Sequence, residues 1–266
     1  MSMERLKVNH VSRVSAAVIV LTAALFNPRA EAATLIPENV VRVSSTVTTP
    51  VNLTTAGPID WAYWSQITNG ASAAPSNDKS GGTAISDLGI AGGTDRQASG
   101  VNTVEKYRFT DGTSPTSATN VSLGGLVFNN RLGTNAAGKG LPLQIAGDPA
   151  SERVLSLSPG GFGAPGILAL TLAGIGSPGI DGTQVFTTAA PKNIAIYTLR
   201  FKPDQLGDLL PISYTAASIT DTKSGQVGIE AVTVAAIPEP RAMTLGLVGM
   251  LLIFRRRGSR RGLATR

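Results

Sequence analysis

Apolar residues in this chain recur at every second position in short bursts, and no burst sustains the 3.6-residue period of a helix over three turns. Leu141, Leu143 and Ile145 form one burst, and Leu168, Leu170 and Leu172 another. Tyr197, Leu199 and Phe201, then Leu210, Ile212 and Tyr214, and finally Val227, Ile229 and Ala231 continue the pattern. Successive side chains of a strand point to opposite faces. Each burst therefore predicts a strand with one buried face and sets the intervening Thr198, Arg200 and Lys202, or Gly228 and Glu230, on the other. About ten strands result, with no helical pattern between them to carry parallel crossovers. The prediction is an all-β body, an antiparallel two-sheet β-sandwich of jelly-roll type. Polar, glycine-rich stretches at 69–83, 92–103 and 133–140 read as long loops on that scaffold.

The two ends follow other rules. Arg5, Lys7 and Arg13 precede thirteen uncharged, mostly apolar residues, Val14 to Phe26, which is the layout of a signal peptide and too short for a comfortable membrane span. Pro28 ends that helix, and Ala30-Glu31-Ala32 supplies the small-x-small pattern a signal peptidase reads, so the cut is expected before Ala33. At the other end, Ile237-Pro238-Glu239-Pro240 is followed by Arg241, an apolar run at 242–254 and Arg255-Arg256-Arg257. Two prolines keep the first part extended. The run halts transfer across a membrane, and the arginines hold the cytoplasmic side. The expected organisation is a signal peptide at 1–32, one body domain at 33–236 and a sorting tail at 237–266 with a short membrane helix at 242–254.

The net charge of +6 has the sign of a nucleic-acid binder, but its distribution removes that reading. Residues 33–236 hold twelve Lys and Arg against fourteen Asp and Glu, so the body is slightly acidic and the basic excess sits in the two ends. No nucleic-acid partner is expected. The chain has no cysteine, and its one histidine, His10, lies in the predicted signal peptide. A mature form without Cys or His has neither Ser-His-Asp nor Cys-His catalysis open to it, nor the usual zinc and haem ligand sets.

Candidate chemistry in the body is sparse. Asp60-Trp61-Ala62-Tyr63-Trp64 places three aromatics in four residues; on a strand Trp61 and Tyr63 face one way and Asp60, Ala62 and Trp64 the other. An exposed ring there, Trp61 or Trp64, could stack on a sugar face. The competing reading has one side filling the core and the other packing under a loop. Asp111-Gly112, Asp181-Gly182 and Asp221-Thr222 are turn signals first. A calcium site needs six to eight oxygens, and no dense run of acidic residues offers them. No cofactor is expected, structural calcium being the one left open. Two carboxylates on separate strands could form a glycosidase pair without leaving a local motif. Gly160-Gly161-Phe162-Gly163 follows a strand but opens no helix, which disfavours a phosphate loop.

Two resemblances follow from these residues. The tail, with Pro238-Glu239-Pro240, the run 242–254 and Arg255-Arg256-Arg257 in that order, resembles the PEP-CTERM sorting signal of Gram-negative bacteria. The resemblance implies export by the general secretory route, transient membrane anchoring, recognition of Pro238, Glu239 and Pro240 by an exosortase, and delivery to the cell surface or exopolysaccharide matrix. One departure concerns length: thirteen residues at ~1.5 Å rise cover about 20 Å of a ~30 Å hydrocarbon core. That fits a weak, temporary anchor. The body is similar to a β-sandwich domain that recurs in bacterial secreted proteins. The matching positions are Val51 to Thr54, Gly57, Asp60 to Trp64, Phe109 to Thr113, Ser117 to Asn120, Arg153 to Leu157 and a closing strand from Gly225 to Ala235. That family often has His where Tyr63 stands and Trp where Phe109 stands, and no catalytic residue carries over. The expectation is a non-enzymatic structural or adhesive surface protein, processed by signal peptidase and exosortase. The second reading is a carbohydrate-binding module for exopolysaccharide, using Trp61 and Trp64; the third is a carboxylate-pair glycosidase.

Overall fold

Alternation in the sequence becomes sheet wherever the bursts find partners. The computed structural model describes residues 33–43, 49–64, 72–92, 106–122, 127–128, 138–162, 164–172, 193–217 and 226–237, all within the unit Ala33–Arg266. The predicted signal helix and the tail helix at 242–254 lie outside them. Among the described residues, no helix is long and apolar enough to cross a membrane.

The described residues are mostly β. Strands β1 (Thr34–Val43), β13 (Asn193–Lys202), β11 (Arg153–Phe162), β15 (Gln226–Ala236), β3 (Asp60–Tyr63) and β5 (Asn77–Asp78) form one sheet in that order, and β9 (Val127–Phe128) also pairs β15. A second sheet runs β10 (Gly140–Ala146), β14 (Leu209–Ala216), β12 (Gly166–Leu170), and a third runs β2 (Val51–Asn52), β7 (Lys106–Phe109), β8 (Ala118–Ser122). The pair β4 (Ser72–Ala73) and β6 (Leu88–Gly89) and one short helix, α1 (Leu53–Ala56), complete the elements among the described residues. Among the described residues every pairing is antiparallel except β2 with β7, a parallel contact of two residues that the antiparallel expectation did not contain. Among the described residues, fifteen strands exceed the ten expected because five of them are only two residues long. Two residues cannot display a period.

The main core gathers the alternating residues of two sheets. Leu155, Leu157, Tyr197, Leu199, Phe201, Val232 and Val234 of the large sheet share one apolar cluster with Leu141, Leu143, Ile145, Leu168, Leu170, Ile212 and Tyr214 of the β10–β14–β12 sheet. The stretch from Ala84 to Ala91 runs antiparallel beside β10, through Ala146 N–H to Ala84 C=O at 2.8 Å, Ser86 N–H to Gln144 C=O at 3.0 Å and Ala91 N–H to Gly140 C=O at 2.9 Å. Pro142 has no N–H to give in the middle of that run. Gly160 to Phe162 belong to β11, so most of the glycine-rich stretch expected to follow a strand is part of one.

One face assignment needs correction. Val227, Ile229 and Ala231 were expected on a single face of β15, but Ala231 belongs to a second cluster with Leu53, Trp61, Tyr63, Tyr107 and Phe109. The cause is a β-bulge: Pro159 pairs with Ile229 and Ser158 with Ala231, leaving Glu230 as an extra residue. An extra residue reverses the alternation beyond it. Val232 and Val234 therefore take over the core-facing role. Glu230, expected on the outer face, is fully buried there and accepts a hydrogen bond from the Tyr107 hydroxyl at 3.2 Å. Farther along the sheet the same outer face is open, and Arg200 forms ion pairs with Glu38 and Glu152 at part-exposed positions.

Candidate functional site

The aromatic motif on β3 is divided between the two clusters. Trp61 and Tyr63 enter the second cluster, while Ala62 and Trp64 enter the main core, as period two requires. The Trp61 and Tyr63 rings lie stacked with centroids 6.3 Å apart, and Phe109 packs on Trp61 at 4.8 Å. Trp61 and Trp64 are both 0% exposed. A sugar-stacking role on these rings has no exposed aromatic face to rest on.

Their polar ends are tied as well. Trp64 Nε1 donates to the Ala73 carbonyl at 3.0 Å, and Trp61 Nε1 donates to Asp111 Oδ1 at 2.9 Å. Asp111 is a hub. Thr54 Oγ1, from the first turn of α1, donates to the same oxygen at 2.6 Å, and Lys79 Nζ pairs with Oδ2. Thr54 also accepts the Thr110 N–H at 3.0 Å, so α1, β3, the stretch after β5 and the turn after β7 meet at one carboxylate. Beside it, Asn77 Nδ2 donates to the Pro115 carbonyl at 2.9 Å while Asn77 Oδ1 accepts the Thr113 N–H at 3.0 Å. A Cβ on Gly112 would stand 2.7 Å from both the Phe109 ring and the Pro115 carbonyl oxygen. Only glycine fits that turn.

Asp60 makes a second clamp. Its carboxylate, on the core face of β3, is 3% exposed and its Oδ2 accepts the N–H groups of Ala84 at 2.7 Å and Ile85 at 3.0 Å. That pins the start of the 84–91 stretch, hence the edge of the β10 sheet, to the large sheet. A side chain on Gly82 would overlap the carboxylate, with its Cβ 2.0 Å from Oδ1.

The two carboxylates titrate in opposite senses. Burial pushes the Asp60 carboxyl above its ordinary value despite the backbone hydrogen bonds it accepts. Burial also pushes Asp111 upward, but hydrogen bonds from Lys79, Thr54 and Trp61 outweigh it and hold that carboxyl below its ordinary value. The stability that Asp111 contributes is fully present above the unfolded value near 3.8 and is lost as pH falls through the lowered folded value. Asp111→Asn should therefore show a smaller loss of melting temperature than the parent on acidification below pH ~4. Equal acid slopes in the two proteins would remove Asp111 as the titrating brace.

The chemistry open to this constellation is limited. Trp61, Thr54 and Lys79 occupy the Asp111 oxygens, and among the described residues no three His, Cys, Asp or Glu side chains group to hold a metal ion. Of the processing residues, Ala33 is half-buried against the main core at the start of β1. Ala30, Ala32, Pro238, Glu239 and Pro240 lie outside the described residues. Sequence reading singled out Trp61, Trp64 and Asp111-Gly112 but missed the roles of Thr54, Lys79, Asn77, Asp60 and Glu230. Asp111 meets Thr54 across 57 positions and Lys79 across 32, and pairings that distant leave no local spacing to recognise. No family model, curated protein or solved structure matches the chain.

Proposed function

We propose that this chain is an exported surface or matrix protein with a structural or adhesive role, its body a two-sheet β-sandwich and its tail a PEP-CTERM-type sorting signal. The observation that carries the reading is the order of parts in the tail: Pro238-Glu239-Pro240, the apolar run 242–254, then Arg255-Arg256-Arg257. The sandwich is supported by the single apolar cluster that the seven-stranded sheet and the β10–β14–β12 sheet share. A non-enzymatic role is supported by where the conspicuous side chains are spent. The tryptophans fill cores, and Asp111 and Asp60 fasten loops to sheets.

The processing route gives the test. In a host strain lacking its exosortase, the protein should stay in the membrane fraction with residues 237–266 attached, while mass spectrometry still finds Ala33 at its N-terminus. Unchanged delivery to the surface without the exosortase would defeat the sorting reading, and an N-terminus at Met1 would defeat the signal-peptide reading.

A further inference from the structure

We infer that one end of the body, the end bearing the turn between β13 and β14, is a membrane-facing surface on which Leu206 enters the lipid interface while the tail is anchored. The inference rests on the proposed reading of 242–254 as a membrane segment. Strand register shows which end this is. Leu35 stands opposite Phe201, Phe201 opposite Arg153, and Arg153 opposite Ala236. The first and last strands of the body therefore have their outer termini in one row of the large sheet. Three strand spacings of ~4.8 Å separate them, roughly 14 Å in all.

The tail is tied at this row. Ile237 N–H donates to the Glu152 carbonyl at 3.0 Å, so the chain is held to the start of β11 until it leaves the sheet. Ala242, where the apolar run begins, is the fifth residue after Ile237. At most ~3.6 Å per extended residue, the anchor begins no more than about 18 Å from the sheet end. The body's other junction, at Ala33, is at the same end and does not draw the opposite pole toward the bilayer.

Two turns project there, 147–152 between β10 and β11 and 203–208 between β13 and β14, joined by Gly147 N–H to Asp208 C=O at 3.1 Å. The second carries Leu206 with 87% of its surface exposed, and Leu209 follows at 40%. Leu206 is the most exposed large apolar side chain among the described residues. A polar tip would serve a turn in water equally well, whereas a leucine beside a tethered bilayer has apolar surface to bury. Asp204 and Asp208 flank it, so the contact is apolar and does not depend on anionic headgroups.

The absence of cysteine makes the test clean. Full-length protein with Leu206→Cys, or with Val41→Cys on β1 as the control far from this end, would carry an environment-sensitive fluorophore and be reconstituted into phosphatidylcholine vesicles with brominated acyl chains. Val41 is 48% exposed and pairs with Ile196, seven residues along β1 from Thr34. Bromine quenching should be several-fold stronger at 206 than at 41, and adding phosphatidylglycerol should not strengthen it. Protein that co-sediments with vesicles but shows equal quenching at both positions overturns the inference and leaves the anchor intact. Quenching at 206 that grows with phosphatidylglycerol also overturns it, in favour of electrostatic adsorption. Failure to co-sediment overturns the membrane reading of 242–254 and the inference with it.

Discussion

Trp61→Ala is expected to lower the unfolding free energy by about 3–5 kcal/mol, the usual cost of truncating a fully buried large aromatic. For a domain of this size each kcal/mol moves the melting temperature by roughly 2–4 °C, so a drop of roughly 6–20 °C is predicted. Two losses combine. The cluster with Tyr63 and Phe109 is left with a cavity, and Asp111 loses the indole donor at 2.9 Å. Trp61→Phe separates them: it keeps an aromatic ring and removes the donor to a charged acceptor, for a cost of about 1.5–3 kcal/mol. The double substitution Trp61→Phe with Asp111→Ala should cost less than the sum of the singles, because each removes the same bond. Chemical denaturation of the four proteins reads this directly. Strict additivity would mean that Trp61 and Asp111 act independently.

Asp60→Ala is the second large effect, about 2–4 kcal/mol, because it strands the N–H groups of Ala84 and Ile85 at the junction of two sheets. Asp60→Asn retains an acceptor oxygen and should cost less. Its pH signature has the opposite sign to that of Asp111. Asp60 has its carboxyl raised by burial, so its stabilising contribution is present below the unfolded value near 3.8 and is lost as pH rises through the raised folded value. Asp60→Asn should therefore narrow its deficit, relative to the parent, as pH rises from the unfolded value near 3.8 through the raised folded value. Amide exchange at Ala84 and Ile85 gives a local readout, with protection expected to fall first there in Asp60→Ala. Unaltered protection at both amides would show that the 84–91 stretch is held by β10 alone.

The same two aspartates show how far the sequence could be read. Both were visible, Asp60 opening the aromatic strand and Asp111 heading a turn, and their identities suited turns and strand ends. Their roles became definite only when β3 and the turn after β7 were brought together. The aromatic motif is similar. Alternation correctly divided Trp61 and Tyr63 from Ala62 and Trp64, since the period of a strand is a local property. Whether either face met solvent depended on what lay above it. On one side that was the β10–β14–β12 sheet, and on the other α1 and β7.

By itself the sequence determined that the body is β, because period-two bursts of Leu, Ile, Val, Tyr and Phe can bury one face only as strands. It determined the exclusions too: with no cysteine, and with its one histidine at His10, whole classes of catalysis and metal binding are closed to residues 33–236. Tertiary structure decided the rest. The bulge at Glu230 reversed the facing of β15 midway, which no reading of alternate positions anticipates, because an extra residue is recognised only against a partner strand. It also decided that both tryptophans are spent on packing, and that both ends of the body leave from one row of the large sheet. Order along the chain does not state which strands are neighbours. Register does, and register is a property of pairs.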